Sequence, residues 1–462
     1  MSTVFAPGFP YMNGDTPSPL DVSPIVELGT TGLRQYSGYV REEFIRELEG
    51  TKAIKVYRQM AHNDSIVGAI LFAMEMLARQ VSWRIMAAPA GGTQADAQAE
   101  WLRGALFEDM SQSWPMLLSE IMTFLPYGFS FHELVYKRRT GDKRPSSIPA
   151  GEEENWAPSK FDDGMLGWRK WPIRSQDTLL RWDFDAQRSV RGFVQFDPVA
   201  GKTIAIPIEK GLLFRAFSWK GNPEGRSILR TAYRSWYRKQ HLENIQAIGA
   251  YRDLAGIPYI SAPQELFYPT ANAQQLSVLA YLKKMGTSLA NDEQACILMP
   301  QAFDANGHPL FDMKLLASGG QKQFDVATII QAEDIHICQS VLADMLMIGH
   351  TGSGSRALAE PKMELFNLAM NSFLDAICEV INRHAIPRLW TLNAQPLALM
   401  PQLVHGEVDH IDIDVFSQIV LRYAQAGFDM QPEWPFIRQV SGFPDASEPS
   451  ALGIGGNPGS AL

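Results

Sequence analysis

The chain has 462 residues, 46% of them apolar and 20% charged, and a formal net charge of −9. That length allows roughly two to four domains with cores of ordinary size, and the acidic balance argues against a sequence-reading DNA binder, which is usually basic. Weak, sliding contact with a polyanion stays open, because affinity for DNA comes mainly from neutralised phosphates. Eleven Trp and 24 Phe supply large side chains for cores or subunit contacts. The cysteines Cys296, Cys338 and Cys378 are odd in number and far apart, which fits buried thiols in a reducing compartment and not a disulfide framework.

Residues 1–40 read as a flexible arm, because Pro7, Pro10, Pro17, Pro19 and Pro24 oppose regular structure. The start has neither a basic n-region nor an apolar block, so it does not resemble a signal peptide. No apolar run approaches the roughly 20 residues that span a bilayer; the expectation is a soluble protein made in the cytoplasm. Asp64 is placed to cap a helix from Ser65 to Val81, whose Ile66, Ile70, Met74 and Leu77 recur at helical spacing. Val81–Ile85 alternates as a strand does. Gln94–Glu108 and Trp114–Phe124 read as helices, the second stopped by Pro126-Tyr127-Gly128.

Phe129–Tyr136 alternates, and Lys137 to Pro158 reads as a polar surface excursion. Short, turn-punctuated strands follow at Trp168–Trp171, Leu179–Phe184, Gly192–Phe196, Thr203–Ile208 and Leu212–Phe217, as in a small antiparallel sheet. From Ser227 a helix runs to about Asp253, roughly 40 Å long, and Gly256-Ile257-Pro258 ends it. Ile260 to Gly319 reads as strand, helix (Ala273–Leu289), strand (Cys296–Met299) and strand (Leu310–Leu316). Gln321–Met347 is helical again. Gly349-His350-Thr351-Gly352-Ser353-Gly354-Ser355 breaks it, and Pro361 sits near the first turn of a long helix reaching Trp390. His410–Asp414 reads as a strand and Val415–Ala426 as a helix, and the tail 447–462 is Gly/Pro/Ser-rich. The class is α+β and helix-rich.

Few residues form a recognisable chemical site. Gly349 and Gly354 have the spacing of a phosphate-binding loop, but Ser355-Arg356 stand where Lys-Ser or Lys-Thr belongs, and the loop follows a helix. A donor-rich loop carrying one Arg is the better description. His132-Glu133 starts like a zinc-protease motif, yet Tyr136 replaces the second histidine, and the pair reads as an exposed edge-strand pair. Asp412 and Asp414 share a strand face and suit Mg²⁺, as in a DNA-processing enzyme; alternatively Asp414 caps the next helix. No cofactor site emerges.

The most distinctive pattern is electrostatic. Arg226, Arg230, Arg234 and Arg238 recur every four residues, with Lys239 and Arg252, against Glu243 alone. The second helix carries Asp325, Glu333, Asp334 and Asp344 against Lys322. A solvated face, a contact between oppositely charged helices of neighbouring subunits, and direct DNA contact all remain open.

The order of several phrases resembles the portal proteins of tailed bacteriophages, and most closely the Mu-like branch. These phrases are Asp64-Ser65-Ile66-Val67-Gly68 leading to Val81-Ser82-Trp83-Arg84-Ile85, Tyr127-Gly128-Phe129-Ser130-Phe131-His132-Glu133-Leu134-Val135-Tyr136, and Ile206-Pro207-Ile208-Glu209-Lys210 followed by Pro223-Glu224-Gly225-Arg226-Ser227-Ile228-Leu229-Arg230. The resemblance implies a portal fold with a wing over 41–224, a first stem helix over 225–253, a clip over 254–320 and a second stem helix over 321–347. It further implies a tunnel loop over 348–358, a long wing helix over 359–395, and a wing return with a short crown over 396–446. It implies a non-enzymatic, dodecameric ring in the virion that passes double-stranded DNA without sequence specificity. The implied partners are the terminase, the major capsid protein and a neck or tail adaptor. Ile348, His350, Thr351, Ser353, Ser355 and Arg356 would face the channel. Arg226, Arg230, Arg234, Arg238, Asp325, Glu333 and Asp334 would serve stem or subunit contacts. A different ring-forming adaptor is the alternative, although such chains are usually much shorter.

Overall fold

The computed structural model describes residues 29–89, 91–144, 156–255, 257–268, 272–290, 303, 312–316, 326–343, 356–408 and 422. The chain divides into two units, Met1–His405 and Gly406–Leu462, and every element below lies in the first.

After a small hairpin of β1 (Gln35–Tyr36) and β2 (Tyr39–Val40) come helices α1 (Thr51–Asn63) and α2 (Ser65–Gln80). The Asp64 side chain accepts from the Ile66 and Val67 amides at 3.0 and 3.1 Å, so it caps α2 as its position predicts. The buried face of α2 is Val67, Ile70, Met74 and Ala78, at helical spacing. Strand β3 (Trp83–Met86), helices α3 (Gly92–Arg103), α4 (Trp114–Met122) and α5 (Phe124–Tyr127), and strand β4 (Phe129–Glu133) follow. Then come β5 (Val135–Thr140), β6 (Asp162–Lys170), β7 (Ile173–Arg174), β8 (Leu179–Phe184), β9 (Val190–Asp197), β10 (Lys202–Pro207) and β11 (Gly211–Arg215).

The strands pair in small antiparallel sheets, ordered β11–β4–β7, β10–β9–β8 and β5–β6. Aromatic packing joins the first two. Phe131 stacks on Phe193 with centroids 4.7 Å apart, and Trp182 stands edge-on to Phe129 and Phe193 at 5.4 Å each. Ile54 of α1, with Leu33, Val40 and Ile206, closes this core.

Two polar readings are corrected by the sheets. His132 is not an exposed edge residue; β4 is the middle strand of its sheet, and His132 is fully buried. Its Nδ1 donates to the Trp171 carbonyl at 2.9 Å, and burial lowers its pKa to about 4, so it stays neutral. Glu133 pairs with Arg174 and Lys210. Lys137 likewise is not on a surface excursion, because β5 runs on to Thr140. The Lys137 ammonium is buried against the Asp109 carboxylate at 3.0 Å and donates to the Asp109 and Pro158 carbonyls at 2.6 and 2.7 Å. Ser159 and the Lys160 amide fill the remaining Asp109 positions. A buried charge is tolerable when it is paired and fully hydrogen-bonded in this way.

Helix α6 (Tyr233–Ala255) starts later than the expected opening at Ser227. Ser227 instead accepts from the Leu229 amide to open a 3-10 turn, Ile228–Arg230, and donates to the Pro126 carbonyl at 2.6 Å. Strand β12 (Ile257–Ser261), helix α7 (Ala273–Ala290) and strand β13 (Asp312–Leu316) form the excursion that follows, with β12 paired to β13. Helix α8 (Val326–Ser340) returns the chain. Helix α9 (Arg356–Val380) begins at Arg356, so residues 356–358 are helix and Pro361 lies inside it, past the first turn. A proline there removes one backbone hydrogen bond. A π turn, Ile381–Ala385, leads to α10 (Ile386–Leu392), and β14 (Gln402–His405) pairs with β3. The expected strands at Cys296–Met299 and His410–Asp414, and the helix Val415–Ala426, lie outside the described residues apart from Arg422, which is helical.

The backbone leading into the 3-10 turn crosses the α5–β4 turn at two glycines. Gly128 (φ +92°) and Gly225 (φ +57°) both need the left-handed region, and a Cβ at Gly128 would stand 2.6 Å from the Glu224 carbonyl oxygen. Gly201 is also left-handed (φ +63°) but faces open space. Gly128→Ala should therefore cost at least about 2 kcal/mol, and Gly201→Ala only about 1. Urea unfolding followed by tryptophan fluorescence checks this; equal effects would contradict the close crossing.

Candidate functional site

The oppositely charged helices meet inside one chain. Helix α6 packs along α8, and consecutive bases of one reach consecutive acids of the other. Arg238 Nη2 lies 3.0 Å from the Glu333 carboxylate, and Lys239 Nζ lies 2.6 Å from Asp334 Oδ1. Lys239 is only 4% exposed and has a second partner, Asp64 Oδ2, at 2.9 Å. Asp64 thus uses one oxygen to cap α2 and the other to hold α6. Burial alone would lower the Lys239 pKa, but the Asp334 and Asp64 carboxylates outweigh it and keep the pKa raised. Three helices distant in sequence therefore converge on one ammonium.

The other predicted arginines do not form one helical stripe. Arg226 precedes the 3-10 turn, and its guanidinium lies over the Trp219 ring, 5.3 Å from the centroid. Arg230 ends that turn and grips Glu43 with two contacts, 2.5 and 2.7 Å, while also lying over the Phe44 ring. Burial would raise the Glu43 pKa, but Arg230 and the Ile45 and Phe44 amides pull it below the usual carboxylate range. Arg234 is on α6 and exposed. The four-residue spacing suggested one face only because a helix from Ser227 was assumed; the 3-10 turn rotates Arg226 and Arg230 away from α6.

Of the expected channel residues, Arg356 is the first residue of α9. Ile348, His350, Thr351, Ser353 and Ser355 lie outside the described residues, as do Asp325, Asp412 and Asp414. Cys338 and Cys378 are buried thiols outside any disulfide, and burial pushes the Cys378 thiol up to about 12. Among the described residues no group of three or more His, Cys, Asp or Glu is placed to hold a metal, and no helix is long and apolar enough to cross a membrane.

Sequence patterns did not single out Glu43 or Glu224, nor the pairing of Asp64 with Lys239. Asp64 had a legible role as a cap, but its second partner lies on a remote helix. Glu224 lines a cavity of about 790 Å³ beside the 3-10 turn. Burial pushes its carboxyl up to about 7, against the Trp182 indole, which lowers it, and with the Glu49 charge, which raises it.

The family described as the portal protein of Mu bacteriophage matches residues 54–443. The chain belongs to that portal family. The match spans α1 to beyond β14, so the Asp64–Lys239–Asp334 contact of this portal chain falls wholly inside it. No curated protein matches the sequence. Similar solved chains include one from the virion of a native gene transfer agent particle, with TM-score 0.49, 12% identity, and coverage of 85% of this chain and 93% of that one. Another comes from the neck of a native gene transfer agent particle computed with C12 symmetry, with TM-score 0.47, 11% identity, and 84% and 94% coverage. An HK97 family phage portal protein from Corynebacterium diphtheriae gives TM-score 0.42, 12% identity, and 76% and 94% coverage.

Lys239→Met should leave the Asp64 and Asp334 carboxylates facing each other without a counter-ion and cost about 3–5 kcal/mol. Adding Asp64→Asn and Asp334→Asn should recover most of that loss in denaturant unfolding; a purely additive triple variant would contradict the shared contact. The pH dependence follows from the raised Lys239 pKa. Its contribution is fully present below the unfolded-state value of 10.5 and is lost as pH rises through the folded-state value. A thermal melt series into strong alkali should show that loss in the unmodified chain and not in the triple variant.

Proposed function

We propose that the chain is the ring-forming portal subunit at one capsid vertex, a passive conduit for double-stranded DNA during packaging and ejection. The observation that carries this reading is the portal-family match over most of the chain. On this reading α6 and α8 are the two stem helices, β12, α7 and β13 belong to the clip that docks the terminase and later a neck or tail adaptor, and α9 is the long wing helix. The division supports itself physically: the clip is an excursion between two helices that are clamped by Lys239 and Arg238.

The segment 348–355 is the tunnel loop, with Arg356 at its helical end. Gly349, Gly352 and Gly354 allow tight backbone turns, and the intervening Ser and Thr offer hydroxyls and no fixed positive charge. Such a lining touches phosphates without gripping them. Repeated around a ring, an acidic subunit gives a channel that repels DNA from its wall. Arg238 and Lys239 of α6 are held by acids of the same chain and kept from DNA. Arg234, exposed on α6, is a cation available to a neighbouring subunit. The major capsid protein surrounds the wing, and no catalytic step belongs to the chain.

Replacing Thr351, Ser353 and Ser355 together with lysine should leave ring assembly unchanged and slow DNA translocation several-fold in a packaging assay with the cognate terminase. Unchanged translocation in normal rings would remove the loop from the channel. Arg234→Glu should reduce ring formation, read by sedimentation, with little change in the melting of the isolated chain. Normal rings would contradict its assignment to a subunit contact.

A further inference from the structure

The cavity of about 790 Å³ lies between the segment after β2, the start of β8 and the approach to the 3-10 turn. Its rim is unusually aromatic for a surface. Phe44 is 85% exposed and Trp219 67% exposed, and Tyr39 and Phe217 are half-exposed. Arg230 lies over Phe44 and Arg226 over Trp219, so a guanidinium sits against one face of each ring. A soluble chain rarely leaves such a cluster uncovered without a partner for it.

The chain contains a segment with matching chemistry. Residues 5–11 read Phe5-Ala6-Pro7-Gly8-Phe9-Pro10-Tyr11. Pro7 and Pro10 are three residues apart, the repeat of a polyproline II helix, so both would fall on one face. Segments of this PxxP type bind grooves lined by aromatic rings, where proline rings pack between aromatic faces and the free backbone carbonyls take donors from the rim. The charges also agree. Residues 1–28 carry Asp15, Asp21 and Glu27 and no Lys or Arg. The cavity lining carries six basic side chains against the four acids Glu42, Glu43, Glu49 and Glu224. Reach is not limiting, because the described chain begins at residue 29 and the first lining residue is Gly38.

We infer that the N-terminal segment Phe5–Tyr11 docks in the aromatic cavity bounded by Phe44 and Trp219. The arm thereby covers the junction where the wing enters the stem, the site of the Arg230–Glu43 pair and the Gly128–Gly225 crossing. This inference does not rest on ring formation or on DNA passage, and its failure would leave the portal reading untouched.

Hydrogen exchange on the full-length chain tests it. Phe9→Ala with Pro10→Ala removes the ligand, and Trp219→Ala or Phe44→Ala opens the groove at exposed positions that the fold does not need. The arm variant should speed exchange across residues 39–57 and 217–227 at least several-fold. Either groove variant should speed exchange across residues 3–14 to the same degree. A labelled peptide of residues 3–14 should then bind the arm variant, bind at least tenfold more weakly when Trp219→Ala is added, and lose binding when its order is scrambled. Exchange across 3–14 that is identical in the unmodified and groove-variant chains overturns the inference. So does peptide binding that ignores Trp219 or the peptide's order.

Discussion

The ammonium of Lys239 has to be neutralised, because α6 carries it into the interior where water cannot solvate it. Two carboxylates do so, and they come from different parts of the chain: Asp64 at the start of α2 and Asp334 on α8. This requirement ties the start of α2 to both α6 and α8. Arg238–Glu333 repeats the charge match one residue along, at a half-exposed position where it contributes less. The pair of helices is thus registered by its buried charge, since a slide by one turn would bury an uncompensated ion.

The approach to α6 is fixed by different means. Ser227 holds the 3-10 turn to the Pro126 carbonyl, Arg230 holds it to Glu43, and the two left-handed glycines let the backbones cross. Polar, steric and charged constraints therefore meet within a few residues of the approach to α6.

Much of the fold was legible because its signals are local. The Asp64 cap, the apolar face of α2, the strand Leu179–Phe184 and the helix starting at Ala273 all follow from spacing and capping chemistry. What failed depended on tertiary partners. His132 and Lys137 are polar residues that local pattern assigns to the surface; their burial depends on the Trp171 carbonyl and on Asp109, which are remote in sequence. The four-residue arginine repeat is real in sequence but is split by a turn that Ser227 nucleates, and two of its members, Arg230 and Arg238, meet acids of the same chain. Of the expected channel residues, Arg356 begins a helix and not a loop, and the others lie outside the described residues.

The account stands on the chain acting as one of many identical subunits around a central opening. Single-particle electron microscopy of the purified full-length protein measures this most directly. The prediction is a closed ring with α6 and α8 forming its narrow stalk and the segment 348–355 projecting toward the axis. A population of monomers, or a ring whose axis is lined by β8, β9 and β10 with the segment 348–355 at the periphery, would contradict it.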